Sequence, residues 1–171
     1  MKPRFLLPLI LLTLGLAAPA QAAGNALFAD FSGQPRDIED YAGQGKWLVV
    51  KIWAHDCPAC AQGAAAYARF HDAHKDQDAT VLGVSLDGEG NRDGAEAFVA
   101  RHALPFPNLI GEPEVVMLKY MKLTGKQFRG TPTILLYDPE GTLRAAQPGI
   151  VPVDTIEAYI EKQQTTAADA G

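Results

Sequence analysis

"KIWAHDCPAC", Lys51 to Cys60, holds both cysteines of this 171-residue chain, two residues apart, at the end of an apolar run. The preceding Trp47–Trp53 stretch, WLVVKIW, is apolar and β-branched over the length of one strand, as expected for a strand covered on both faces. After Pro58 comes ACAQGAAAYARFHDAHK, rich in Ala and poor in breakers, which predicts a helix. Gly63 weakens it by up to about 1 kcal/mol relative to Ala. A strand that ends in C-x-x-C and runs into a helix places its first thiol at the helix N-terminus, where unpaired N–H groups and the macrodipole favour an anion. A cysteine there has a pKa below the ordinary value of about 8.5, and its thiolate is the nucleophile of disulfide exchange. The second thiol lies one turn inside. It can close a short disulfide with the first and release a mixed-disulfide partner. Pro58 suits the first helical turn.

Other uses of two close cysteines fit less well. A c-type haem needs C-x-x-C-H, and Ala61 follows Cys60. A zinc set of Cys57, Cys60, His71 and His74 misses the usual finger spacing. It would also have to converge from one helix, whose rise of 1.5 Å per residue separates the pairs by about 15–20 Å. His71 and His74 are read as solvated helix-face residues, and no metal site is expected. Soft copper(I) would suit two thiolates, but methionine-rich tracts are absent. A static disulfide in a binding or chaperone module remains the plain alternative.

Outward from this motif the elements alternate. ATVLGVSL (79–86) reads as a second buried strand. RDGAEAFVARHA (92–103) is a helix with Ala95, Phe98, Val99 and His102 on one face. A Pro-rich connection contains a short strand at Asn108–Ile110, and EPEVVMLKYMKLTG is a helix closed by Gly125. A strand at Thr133–Tyr137, a turn through Asp138–Gly141 and a strand at Thr142–Ala146 form a hairpin. VDTIEAYIEKQ is a closing amphipathic helix, capped by Asp154 or with Pro152 in its first turn. The segment ALFADFSGQPRDIEDYAG predicts a short N-terminal strand or hairpin beside the sheet. Early alternation implies parallel strands with crossover helices, and the late hairpin adds antiparallel edges. The expected fold is α/β, a three-layer sandwich with a central mixed sheet and helices on both faces. Ligand chemistry in such a sheet sits beyond the C-terminal ends of the parallel strands, where Cys57 falls.

The chain opens MKPRFLLPLILLTLGLAAPAQAAG. A positive start at Lys2 and Arg4, an apolar stretch and an A-x-A site at Ala20–Ala22 predict a signal peptide over residues 1–22. The apolar part is shorter than the roughly 20 residues of a membrane-spanning helix; retention as an anchor is the alternative. A domain over residues 23–164 and a flexible tail over 165–171 follow, with a periplasmic or otherwise exported location. The net charge of −5 and the lack of a basic cluster argue against nucleic acid.

One more feature stands out: RGTPTILLY puts Pro132 directly before a buried strand, a poor place for proline unless it has a special role. A cis Pro132 would turn the chain sharply and face the backbone of Thr131 outward. WAHDCPAC after a buried strand, with RGTPTILLYDPEG about seventy residues later, resembles the thioredoxin superfamily. The likeness runs from about Leu27 to Gln163. The predicted export signal, DFSGQPRDIEDYAGQGKWLVVKIWA and the closing YDPEG are similar to the TlpA/ResA-type periplasmic thioredoxin-like branch. The resemblance implies a thiol-disulfide oxidoreductase in which Cys57 attacks and Cys60 resolves. It implies a cis Pro132 beside them, with Thr131 offering its backbone to an extended substrate, and Trp53 packed beneath the site. It implies no cofactor beyond the redox-active disulfide. The implied partners are client proteins with cysteines or disulfides, a maturing c-type cytochrome among them, and a membrane thiol-disulfide electron donor or acceptor. The protein is expected to be a monomer.

The sequence departs from the pattern in three places, one of them the stretch AQGAAAYA after Cys60, where related exported proteins usually carry a Glu. Lys51 stands where thioredoxins carry a buried acid, and Asp56 replaces the usual aromatic before the first cysteine. Lys51 is read either as a partly desolvated charge that favours thiolate or as a strand lysine that snorkels to the sheet edge.

Overall fold

The computed structural model describes residues 26–169, with side chains to Thr166. The predicted signal segment lies outside the described residues. An N-terminal hairpin, β1 (Phe28–Asp30) and β2 (Pro35–Arg36), precedes a 3-10 turn at Ile38–Asp40. Then follow β3 (Trp47–Trp53), α1 (Pro58–His74), β4 (Ala79–Ser85), α2 (Arg92–Arg101), β5 (Asn108–Ile110), α3 (Pro113–Thr124), β6 (Thr133–Tyr137), β7 (Leu143–Pro148) and α4 (Val153–Asp169). They build one seven-stranded sheet in the order β2-β1-β5-β4-β3-β6-β7. β3, β4 and β5 run parallel, and β6, β7 and the N-terminal hairpin are antiparallel to their neighbours. This is the expected three-layer mixed sheet. Among the described residues no helix is long and apolar enough to cross a membrane.

Side-chain alternation along β3 sets the two layers. Leu48, Val50 and Ile52 join Leu82, Val84 and Leu135 in a core closed by Val116 and Tyr120 of α3. Trp47 and Val49 face the other way, against Tyr67 and Phe70 of α1 and Ile156 and Ile160 of α4. Lys51 lies on that second face. At the same face's far end, Trp53 packs with Cys60 and with Ala95 and Phe98 of α2. Gly125 closes α3 in the left-handed conformation, as its position predicts.

Three sequence expectations change. His71 is buried, not solvated, and its Nδ1 accepts the Val81 N–H at 3.2 Å. The reason is a mismatch of strand lengths: β5 pairs with β4 only from Gly83 onward, so it stops short of Val81. Burial without an acid partner holds the imidazole pKa below its ordinary value. His74 is half-buried and bonded to Asp78 at 2.8 Å, tying the end of α1 to the start of β4. At the other end of the chain, α4 starts at Val153, so Asp154 stands in its first turn and does not cap it. The helix also continues to Asp169, past the boundary drawn at residue 164. No Gly or Pro interrupts that stretch, and the hydroxyls of Thr165 and Thr166 donate to the carbonyls of Glu161 and Lys162.

Candidate active site

β3 and β4 end side by side, with Trp53 opposite Ser85. A tight turn, in which Cys57 N–H donates to Ala54 O at 3.3 Å, carries the chain from β3 into α1. Cys57 is the N-cap of α1 and Pro58 its first residue. Proline fits there because that position's N–H has no intrahelical partner. Cys57 and Cys60 form a disulfide with their Cα atoms 5.2 Å apart. The two sulfurs differ in setting. Cys57 is partly exposed, and its Sγ accepts the Cys60 N–H at 3.1 Å; Cys60 is completely buried against Trp53 and Phe98. A backbone donor aimed at the outer sulfur favours its thiolate in the reduced protein.

Trp53 lies beneath this turn, stacked on Phe98 with ring centroids 4.6 Å apart. Its indole N–H donates to Asn108 Oδ1 at 3.2 Å. The bond passes directly over Gly83, where a Cβ would overlap the Asn108 side chain and stand 2.8 Å from the indole nitrogen. Only glycine leaves room for it.

Lys51 is 4% exposed at the centre of the sheet, with β4 on one side and β6 on the other. It has no sheet edge to reach, which removes the snorkelling alternative. Its Nζ donates to the Cys60 carbonyl at 3.0 Å and sits 4.6 Å from the Tyr67 ring centroid. Burial lowers its pKa to about 8. Tyr67 donates its hydroxyl to Val151 O at 2.9 Å, and burial raises its pKa.

The Thr131–Pro132 peptide is cis. Pro132 lines a small cleft together with Lys51, Ala59, Gly63 and Tyr67, which puts it beside the C-x-x-C turn. Its carbonyl accepts Gly149 N–H at 2.8 Å, and Thr131 precedes it half-buried. Asp56 is exposed in the turn before Cys57.

The sequence reading missed a second polar cluster at the same strand ends. Asp87, buried just past β4, accepts the His55 N–H at 3.0 Å, meets His55 Nδ1 at 2.6 Å, and accepts Ser85 Oγ at 2.5 Å. The hydrogen bond to Asp87 is the main reason the His55 pKa lies above its ordinary value. His55, Asp56 and Asp87 bring one metal-ligating atom each within 4.8 Å of one another. Two of those three are already bonded to each other, so the cluster is a tether between the C-terminal ends of two parallel strands. Their shared position at those ends was the available signal.

Comparison with known proteins agrees with this architecture. An uncharacterised protein of Haemophilus influenzae is 29% identical over 160 residues, covering 92% of this chain and 98% of that protein. The peroxiredoxin Bcp of Bacillus subtilis is 28% identical over 118 residues, 65% of this chain and 72% of Bcp. The thioredoxin domain of a thiol-disulfide oxidoreductase from Bacteroides vulgatus superposes with a TM-score of 0.64 at 22% identity, over 79% of this chain and 89% of that one. That likeness shows a thioredoxin-like fold. The AhpC/TSA family model matches residues 15–146, and with a cysteine pair at the helix start of a thioredoxin-like sheet the chain belongs to the AhpC/TSA family, as a redox enzyme of that fold.

Proposed function

We propose that this protein exchanges disulfides with partner proteins, Cys57 attacking and Cys60 resolving. The observation that carries the reading is the asymmetry of the pair. Cys57 caps a helix, is partly exposed and receives a backbone N–H, whereas Cys60 is completely buried. In the forward step the Cys57 thiolate attacks a client disulfide, forming a mixed disulfide and releasing one client thiolate. Cys60 then attacks Cys57, closing the Cys57–Cys60 disulfide and freeing the second client thiolate. Oxidation of a client dithiol is the reverse sequence. Thr131 and Pro132, beside the pair, are the docking edge for an extended client segment in this reading.

Export to an oxidising compartment completes the proposal, since a one-disulfide domain there can cycle against a membrane electron donor or acceptor. The protein acts as a monomer on proteins with cysteines or disulfides, maturing c-type cytochromes among the candidates. No cofactor enters beyond the disulfide itself. The deciding experiment follows reduction of a model protein disulfide by the dithiol form, alongside the equilibrium potential of the pair against glutathione. Exchange no faster than that of a free dithiol would end the reading.

A second reading, reduction of a peroxide by Cys57 with Cys60 closing the disulfide, is favoured by the family match and by the likeness to a peroxiredoxin. Peroxide consumption by the dithiol protein, measured beside disulfide exchange, separates the two.

A further inference from the structure

Along the loop that leads to Pro132 the surface opens into a second cleft, of about 430 Å³, that no step above uses. Lys126, Gln127 and Arg129, from the loop between α3 and β6, line it together with Tyr120 of α3 and Gln147 and Pro148 of β7. That loop is fastened at its start, middle and end. Gly125 N–H donates to Met121 O at 2.8 Å, Phe128 meets the buried Tyr120 edge-on with ring centroids 5.4 Å apart, and Thr133 Oγ1 donates to Gly130 O at 2.6 Å. The β7 wall is held in register on β6, with Gln147 opposite Ile134 and Pro148 opposite Thr133. Both walls are fixed by the fold.

The cleft is positive. Lys126 and Arg129 are exposed, no carboxylate lines the cleft, and among the described residues neither cation has an ion-pair partner. Nearby cations do: Lys119 is bonded to Asp37 and Glu39, and Arg144 faces Asp138 at 3.8 Å. On a chain of net charge −5 this is a local reversal of sign. A guanidinium takes a carboxylate through two parallel N–H donors, an ammonium adds a point charge, and the Gln127 amide supplies further donors. Both walls lead to the cysteine pair. Arg129 is followed by Gly130, Thr131 and Pro132, and Pro148 by Gly149 and Ile150; Pro132 and Ile150 line the small cleft with Ala59. The Gly149 N–H to Pro132 O bond joins the two loops. Three extended residues span about 10 Å, so a segment running past Thr131 brings a side chain about four residues from its cysteine to Arg129.

We propose that this cleft is a subsite for a carboxylate of the client protein, an Asp or Glu about three to five residues from the client's reacting cysteine, seated by Arg129 and Lys126. The proposal rests on the exchange reading and adds to it a class of client: segments that are acidic close to the cysteine. The contact acts on docking and leaves the sulfur chemistry alone. Because both cations are exposed, its effect is modest and falls with salt.

The test uses the whole protein as a Cys60→Ser variant, in which Cys57 forms mixed disulfides that are not resolved. Peptides with one cysteine, and Glu or Gln at successive positions on either side of it, compete in pairs for Cys57 at equilibrium. Mass spectrometry reads the ratio of the two adducts. At one position the Glu adduct should exceed the Gln adduct by about threefold, and the excess should shrink as salt rises. Arg129→Gln with Lys126→Gln should remove it. Arg101→Gln with Lys162→Gln, which takes the same charge from exposed sites outside the cleft, should leave it in place. The parent dithiol protein, reducing the same peptides as disulfides, should show the same order of rates without any substitution. Equal adducts at every position, or an excess that the control pair removes as fully, would overturn the proposal. If no Glu excess appears and low-millimolar inorganic phosphate shifts the Lys126 and Arg129 amide resonances, the occupant is a free anion and the client assignment falls. If the Glu excess appears while the dithiol protein reduces no protein disulfide, the exchange reading falls and the subsite stands.

Discussion

Lys51 Nζ donates a 3.0 Å hydrogen bond to the carbonyl oxygen of Cys60, so the first turn of α1 rests on a buried cation. The same ammonium lies over the Tyr67 ring, 4.6 Å from its centroid. Where the thioredoxin pattern that this sequence resembles places an acid, this protein places a base. An ammonium close to the dithiol stabilises thiolate, hence the reduced form, and makes the pair more oxidising.

Replacing Lys51 with Met should therefore raise the thiol pKa and make the reduction potential more negative. For this couple a displacement of about 30 mV corresponds to about 1.4 kcal/mol, so even a modest charge effect is measurable. Thiolate absorbance and equilibration with glutathione in Lys51→Met and the parent read both quantities. Equal values would assign Lys51 a purely structural place.

The same lysine predicts how stability depends on pH. Its pKa falls from 10.5 to about 8 on folding, so between those values the unfolded chain binds the extra proton. Stability of the disulfide form should rise as pH climbs from 8 to about 9, below the range where unfolded tyrosines, whose ordinary pKa is 10.0, begin to oppose it. The full gap corresponds to roughly 3 kcal/mol at 1.36 kcal/mol per pH unit. Lys51→Met should abolish the rise in denaturant midpoint over that window.

For the cysteines the roles are separable. Cys57→Ser should abolish exchange, and Cys60→Ser should accumulate mixed disulfides with clients, visible on non-reducing gels. Normal turnover by Cys60→Ser, or trapping by Cys57→Ser, would reverse the assignment.

His71 is a structural acceptor, and its loss should be costly. His71→Leu leaves the buried Val81 N–H unpaired and should destabilise by about 1–3 kcal/mol at pH 7. In the parent, folding holds the imidazole neutral, so stability falls as pH drops below the unfolded histidine value of 6.5. The variant should lose that part of the acid slope in denaturation curves taken from pH 7 to 5.

Gly83→Ala should disturb the site from beneath, because the new methyl collides with the Asn108 side chain and crowds the Trp53 indole. Overpacking of this kind costs about 1–3 kcal/mol. A lower thermal midpoint and a changed Trp53 fluorescence would report it.

The sequence alone determined what depends on neighbours along the chain. The apolar run of β3, the Ala-rich start of α1, Pro58 in its first turn and cysteines at i and i+3 each follow from local propensity and periodicity. Together they place Cys57 at a helix start and Cys60 one turn inside. What the tertiary structure decided depends on contacts between distant segments. Lys51 is buried because the sheet order sets β3 between β4 and β6, and nothing in WLVVKIW shows whether a strand is central. His71 became an acceptor because β5 is shorter than β4. His55 found Asp87 because two parallel strands end side by side, bringing together residues that belong to different local patterns. Periodicity reports which face a side chain takes; only strand order and strand length decide what meets it there.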